Sequence, residues 1–168
     1  MVLGALIGAA AFGQPIDEYQ VKAAFLFNFA KFVEWPPQAF KGPGDPISIC
    51  VIGHNPFGSM LEEAVHGKVV EDRPLVVHQL SDPRQVSGCH IVFVSMPERK
   101  LLRPILKELS AGGVLTVGET EGFTAEGGVV NFKVEDNRVR FEINMNAAGR
   151  QKLRISSKLL SLAQVVKK

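Results

Sequence analysis

At 168 residues, 46% apolar and 21% charged, the chain has the composition of one folded globular domain, which excludes a disordered or fibrous protein. A chain of this size buries about 70% of its unfolded surface and needs neither metal nor disulfide to hold a core. Nineteen basic residues against seventeen acidic ones leave a net charge of +2, too small and too evenly spread for a nucleic-acid-binding protein.

The first thirteen residues, Met1–Gly13, carry no charge. A membrane-spanning helix needs about 20 apolar residues, so this run is too short to span a bilayer. It suits the apolar core of a secretory signal, with Ala11 and Gly13 at the −3 and −1 positions of a cut before Gln14. No Lys or Arg precedes the run, which makes the signal atypical or truncated. Clustered Gly and Ala form a poor first core element. The expected organisation is therefore a signal peptide over 1–13 and one exported, soluble domain over 14–168, without membrane insertion.

Ile16–Trp35 is predicted helical. Asp17 and Glu18 favour the positive end of the helix dipole, and Val21, Phe25, Phe29 and Phe32 recur at spacings of three and four. Leu26, Phe27 and Val33 add apolar surface beyond that stripe, and Asn28 is the one polar side chain between Ala23 and Ala30. A helix apolar on nearly all sides must be buried on nearly all sides, by a central position or by a partner. Pro36 and Pro37 end it. After a loop containing Gly42, Pro43, Gly44 and Pro46, Ile47–Ile52 reads as a buried strand closed by Gly53. Asn55 as N-cap and Pro56 at the first helical position start a helix running to about His66.

Strands follow at Arg73–Leu80 and His90–Ser95, then a helix at Pro97–Leu109 closed by Gly112 and Gly113, then a strand at Val114–Val117. Gly127–Val134 and Arg138–Asn144, joined by Glu135-Asp136-Asn137, read as a β-hairpin. Ala147–Val166 reads as a C-terminal helix with Ser156-Ser157 as its weak point. Strands alternating with helices, followed by a hairpin, give the α/β class: a three-layer domain with a mixed sheet, a C-terminal β-hairpin and a C-terminal helix.

Catalytic chemistry is hard to find. His54, His66, His78 and His90 recur every twelve residues, a period that matches no helix or strand face and no zinc spacing. No Walker loop, dinucleotide fingerprint, nucleophile elbow or nucleophile–base pair is present, so neither an enzyme nor a cofactor is expected. Glu119, Glu121 and Glu126 lie in what reads as a solvated loop. The turn Gly53-His54-Asn55-Pro56-Phe57-Gly58 joins a strand end to a helix start, a common ligand position in open α/β sheets, and Gly53, His54, Asn55 and Gly58 are the candidate ligand turn. Cys50 and Cys89 are either a disulfide or two buried thiols, and export favours the bridge.

Five blocks carry a family resemblance. Glu18–Leu26 (EYQVKAAFL) with Asn28–Pro36 (NFAKFVEWP), Ile49–Gly53 with Asn55–Gly58, Gly122-Phe123 with Gly127-Gly128, Val139–Asn144 (VRFEIN) and Ile155–Leu160 (ISSKLL) resemble the YfiR family of exported proteins. The resemblance implies a periplasmic repressor that binds the sensory domain of an inner-membrane diguanylate cyclase and lowers cyclic-di-GMP. It also implies a homodimer, sequestration by an OmpA/Pal-type outer-membrane lipoprotein, and pairing of Cys50 with Cys89. A second cysteine pair found in some members has no counterpart here. Apolar surface in excess of one core usually has a partner, which makes Phe27, Trp35 and Leu159 candidate anchors of an interface rimmed by Asn28, Lys31 and Lys158. The alternative is a sensing module that holds a small periplasmic ligand at the Gly53–Gly58 turn and signals to a membrane kinase or cyclase.

Overall fold

A computed structural model describes residues 17–95 and 99–167. The signal expected over 1–13 and the helix start expected at Pro97 lie outside the described residues.

Asp17 caps helix α1 (Glu18–Phe32), its carboxylate accepting from Tyr19 N–H at 3.1 Å. Of its residues only Gln20, Ala24 and Lys31 are exposed, so the helix that is apolar all round is covered nearly all round. It ends earlier than expected, because Val33 takes an extended conformation and opens a short strand, β1 (Val33–Glu34). Then follow β2 (Ile47–Ile52), α2 (Met60–Val65), β3 (Val69–Val70), β4 (Arg73–Leu80), β5 (Ile91–Val94), α3 (Arg99–Glu108), β6 (Leu115–Gly118), β7 (Val130–Glu135), β8 (Arg138–Asn144), α4 (Met145–Arg150), β9 (Arg154–Ile155), α5 (Ser157–Leu160) and β10 (Gln164–Val166).

Among the described residues, eight strands form one mixed sheet in the order β10-β8-β7-β6-β5-β2-β4-β3. The run β4-β2-β5-β6-β7 is parallel, with the earliest strand inside the sheet and the chain winding outward first one way and then the other. All six residues of β2 are buried, because both its faces are covered. On one face Ile47, Ile49 and Val51 join Phe29, Phe93, Phe132 and Phe141 beneath α1 and α2. On the other, Cys50, Ile52, Val92 and Val94 pack with Phe123 and with Leu102 of α3. These are the three expected layers. Among the described residues no helix is long and apolar enough to cross a membrane.

Asp136 and Asn137, both with positive φ, turn the expected β7–β8 hairpin. Three local expectations change. The helix predicted from Pro56 begins only at Met60, because Asn55 Oδ1 accepts Phe57 N–H at 2.9 Å and Gly58 turns to φ +56, winding residues 56–59 into turns. A second hairpin, β3–β4, turns on Glu71 and Asp72, both with positive φ. The predicted C-terminal helix breaks at Lys152 (φ +57), where Leu153 N–H reaches back to Ala148 C=O at 3.0 Å, and the rest becomes β9, α5 and β10. The break lets β9 pair antiparallel with β1, Val33 opposite Ile155, and lets β10 join the sheet beside β8.

Candidate functional site

Cys50 and Cys89 are bonded, with Cα atoms 6.0 Å apart. The bridge ties β2 to the residues entering β5, where His90 N–H donates to Ser48 C=O at 2.9 Å. His90, buried next to the bridge, accepts Ser48 N–H on Nδ1 (3.1 Å), so its proton sits on Nε2 and is donated to Ala39 C=O at 2.9 Å. Phe40 stacks on the imidazole at 4.4 Å between ring centroids, and the Arg73 guanidinium lies 3.7 Å from the Phe40 centroid. Trp35 meets the ring edge-on and donates Nε1–H to His90 C=O at 3.1 Å.

Burial holds the His90 pKa below the usual histidine range; Arg73 pushes the same way, while Ala39 C=O and Asp45 oppose. The unfolded chain therefore takes up this proton first, and the stability tied to neutral His90 is present above pH about 6.5 and drains away as the pH falls below it. Urea unfolding at pH 7.5 and 5.5 should show a steeper loss for the natural protein than for His90→Asn. Equal losses would exclude His90 as the source.

The interface candidates lie at the end of α1 and on the segment that returns beside it. Ser156 N–H donates to Phe32 C=O at 2.9 Å, and the β1–β9 pair brings residues 154–155 alongside 33–34. Phe27 is half-buried beneath two ammonium groups, those of Lys31 and Lys68, 5.6 and 5.8 Å from its ring centroid. Lys31 and Trp35 share a hollow of about 270 Å³ with Phe40, Arg73 and Ser156. Asn28 and Trp35 are half-buried and Lys158 is exposed. Leu159 is 1% exposed, so its side chain belongs to the core.

Of the candidate ligand turn, Gly53 and His54 line a hollow of about 510 Å³ at the carboxyl ends of β2 and β5, together with Ile52, Val94, Asp82 and Arg84. Asn55 and Gly58 lie outside that lining, as does the whole of α2. Arg84 is committed to Asp82, whose carboxyl it holds at about 2 through side-chain and main-chain hydrogen bonds.

A feature that sequence reasoning missed lies in the loop after β6, expected to be solvated. Glu119 is buried against α1 and takes the Lys22 ammonium at 2.6 Å; Glu18, one turn before Lys22, takes it from the other side. Burial alone would lower the Lys22 pKa, but these two carboxylates outweigh it and hold it above the usual lysine range. Beyond this pair, Thr124 donates to Glu142 at 2.5 Å, and Lys133 meets Glu142 at 2.6 Å. Lys22 sits on the apolar helix without a sequence partner in reach except Glu18, and that spacing was the one available signal. Lys22→Met should cost about 3–5 kcal/mol by stranding Glu119, whereas Lys22→Met with Glu119→Leu should recover most of that loss in a denaturant melt.

Two comparisons with known proteins bear on this chain. A family model described as YfiR/HmsC-like matches residues 19–164. A solved structure, titled a conserved domain protein from Vibrio cholerae O1 biovar El Tor str. N16961, superposes with a TM-score of 0.58 at 12% identity and covers 86% of this chain. The chain spans 60% of that protein's length, and the likeness extends to the fold alone.

Proposed function

Since the chain belongs to the YfiR/HmsC-like family, whose members are periplasmic regulators of diguanylate cyclase signalling, we propose that it binds the sensory domain of an inner-membrane diguanylate cyclase and represses it, lowering cyclic-di-GMP and limiting biofilm formation. The observation that carries this reading is the family match across residues 19–164. The family is a regulatory one, and the chemistry of this reading is surface recognition. The contact surface is the end of α1 and the returning segment: Phe27 and Trp35 supply the aromatic area, and Asn28, Lys31 and Lys158 the polar rim. Leu159 supports that surface from beneath, so a charge at 159 unfolds the protein instead of testing the contact.

Phe27→Asp combined with Lys158→Glu should abolish binding of the purified cyclase sensory domain and raise cellular cyclic-di-GMP, with circular dichroism unchanged. Retained binding would remove this surface from the reading, and a natural chain that fails to bind the domain at all would remove the reading itself. A homodimer and capture by an OmpA/Pal-type lipoprotein belong to the same proposal, and light scattering and co-purification test them. The hollow beside Gly53 and His54 supports a second reading, a small-ligand sensor. Saturable heat of binding to a periplasmic metabolite, with no protein partner present, would favour it.

A further inference from the structure

Strand β7 outruns β6. It pairs with β8 from Val130 to Glu135, but with β6 only at Val130 and Asn131. Among the described residues, its last four therefore have a strand neighbour on one side only. Antiparallel pairs exchange hydrogen bonds at alternate residues. Asn144 N–H donates to Val129 C=O at 2.8 Å, which sets the parity: 131, 133 and 135 turn their main-chain groups to β8, and Val134 turns its N–H and C=O to the open side. Val134 is 52% exposed.

The open side faces a groove. Two hollows of about 520 and 610 Å³ meet at Glu18 and Val134. The second is mostly apolar, walled by Val21, Phe25 and Val139, with Asn137 and Arg138 also in its lining. The first is acidic, with five carboxylates (Glu18, Glu119, Glu121, Glu135 and Glu142) against the ammonium groups of Lys22 and Lys133, both already held by carboxylates, and the exposed Arg140 guanidinium 3.9 Å from Glu135. Asn131, 2% exposed, also lines it, and its Oδ1 accepts no hydrogen bond.

We propose that this edge of β7 receives an extended segment of a partner protein, which adds as a strand beside Phe132–Glu135. An apolar side chain of that segment enters the Val21–Phe25–Val139 hollow, and a lysine or arginine of it meets Glu121 and Glu135. The charge selects this occupant. A second copy of the chain would set one acidic lining against another, and residues 1–16 contain no basic residue to offer. The proposal rests on the reading that the chain works through protein contact, and it adds a second site beside the Phe27 surface, which shares no residue with it.

The probes are two end-blocked, dye-labelled octapeptides of alternating Val and Thr, one with two Lys replacing Thr and one with two Glu, measured by fluorescence anisotropy at low salt. The Lys peptide should bind at least tenfold more tightly than the Glu peptide. Val134→Pro, which removes an outward N–H and no bond to β8, should weaken it at least tenfold with circular dichroism unchanged, and Glu121→Lys should reverse the preference. Equal affinity for the two peptides, or indifference to Val134→Pro, would overturn the proposal. So would a dimer that dissociates in Val134→Pro, since a second copy would then hold the edge. The same variant against the cyclase sensory domain separates the two readings. Undiminished binding overturns the edge alone, whereas a natural chain that ignores the domain overturns the repressor reading and leaves the edge to be judged by the peptides.

Discussion

Reducing the Cys50–Cys89 bridge should destabilise the protein by about 4 kcal/mol, the entropy returned to an unfolded chain when a loop of 39 residues opens. For a domain of this size that corresponds to a fall of about 10 °C in Tm. Cys50→Ala with Cys89→Ala should lose at least as much, because both positions are buried. A second readout follows from the geometry. Trp35 is the single tryptophan, and its Nε1–H is donated to the carbonyl of His90, the residue after Cys89. Opening the bridge loosens that anchor, so tryptophan emission should shift to the red before global unfolding. A loss below about 1 kcal/mol, or an emission spectrum indifferent to reductant, would mean that the β2–β5 pairing holds this corner without the sulfur link.

Periodicity and turn chemistry were enough to expose the framework. The spacing of Phe25, Phe29 and Phe32, the apolar-rich run Ile47–Ile52 and the Asp136-Asn137 turn each belong to an element where the sequence expects one. Where the reading failed, local signals competed with distant ones. Glu71-Asp72 turns β3 into β4 with a glutamate, which seldom takes positive φ, beside an aspartate, which takes it more readily, and the turn is held by pairing between Val70 and Arg73. The segment after Ala147 carries helical spacing, yet β9 pairs with a strand more than a hundred residues away, which no local window contains. The same holds for the polar cluster. Lys22 and Glu119 meet only because α1 lies across the end of β6, so Glu119 reads as a solvated carboxylate until the fold is known. Phe27 and Leu159 carry the same surplus apolar signal in the sequence, yet Phe27 is half-buried and Leu159 is core.

Gly118→Ala and Gly128→Ala should each cost about 3 kcal/mol, through overpacking against Phe123, at Gly128 against its carbonyl as well as its ring. Phe123 is fully buried in the core on the α3 face, and its ring lies between these two glycines; a methyl group at either would fall far inside van der Waals contact with it. Neither glycine has the left-handed backbone that would itself demand glycine, so space is the sole requirement. A double-mutant cycle isolates that cause. Phe123→Ala should cost about 3–5 kcal/mol by leaving a cavity, and adding Gly118→Ala to it should cost almost nothing further, because the ring that would have clashed is gone. Additive losses would place the demand for glycine in the backbone instead. The cycle reaches the Lys22 pair as well. The loop from Glu119 onward is pinned by Phe123 and by Gly128 N–H donating to Phe123 C=O at 3.0 Å. Once Phe123 is removed, Glu119 is less firmly placed, and Lys22→Met should cost less in Phe123→Ala than in the natural protein.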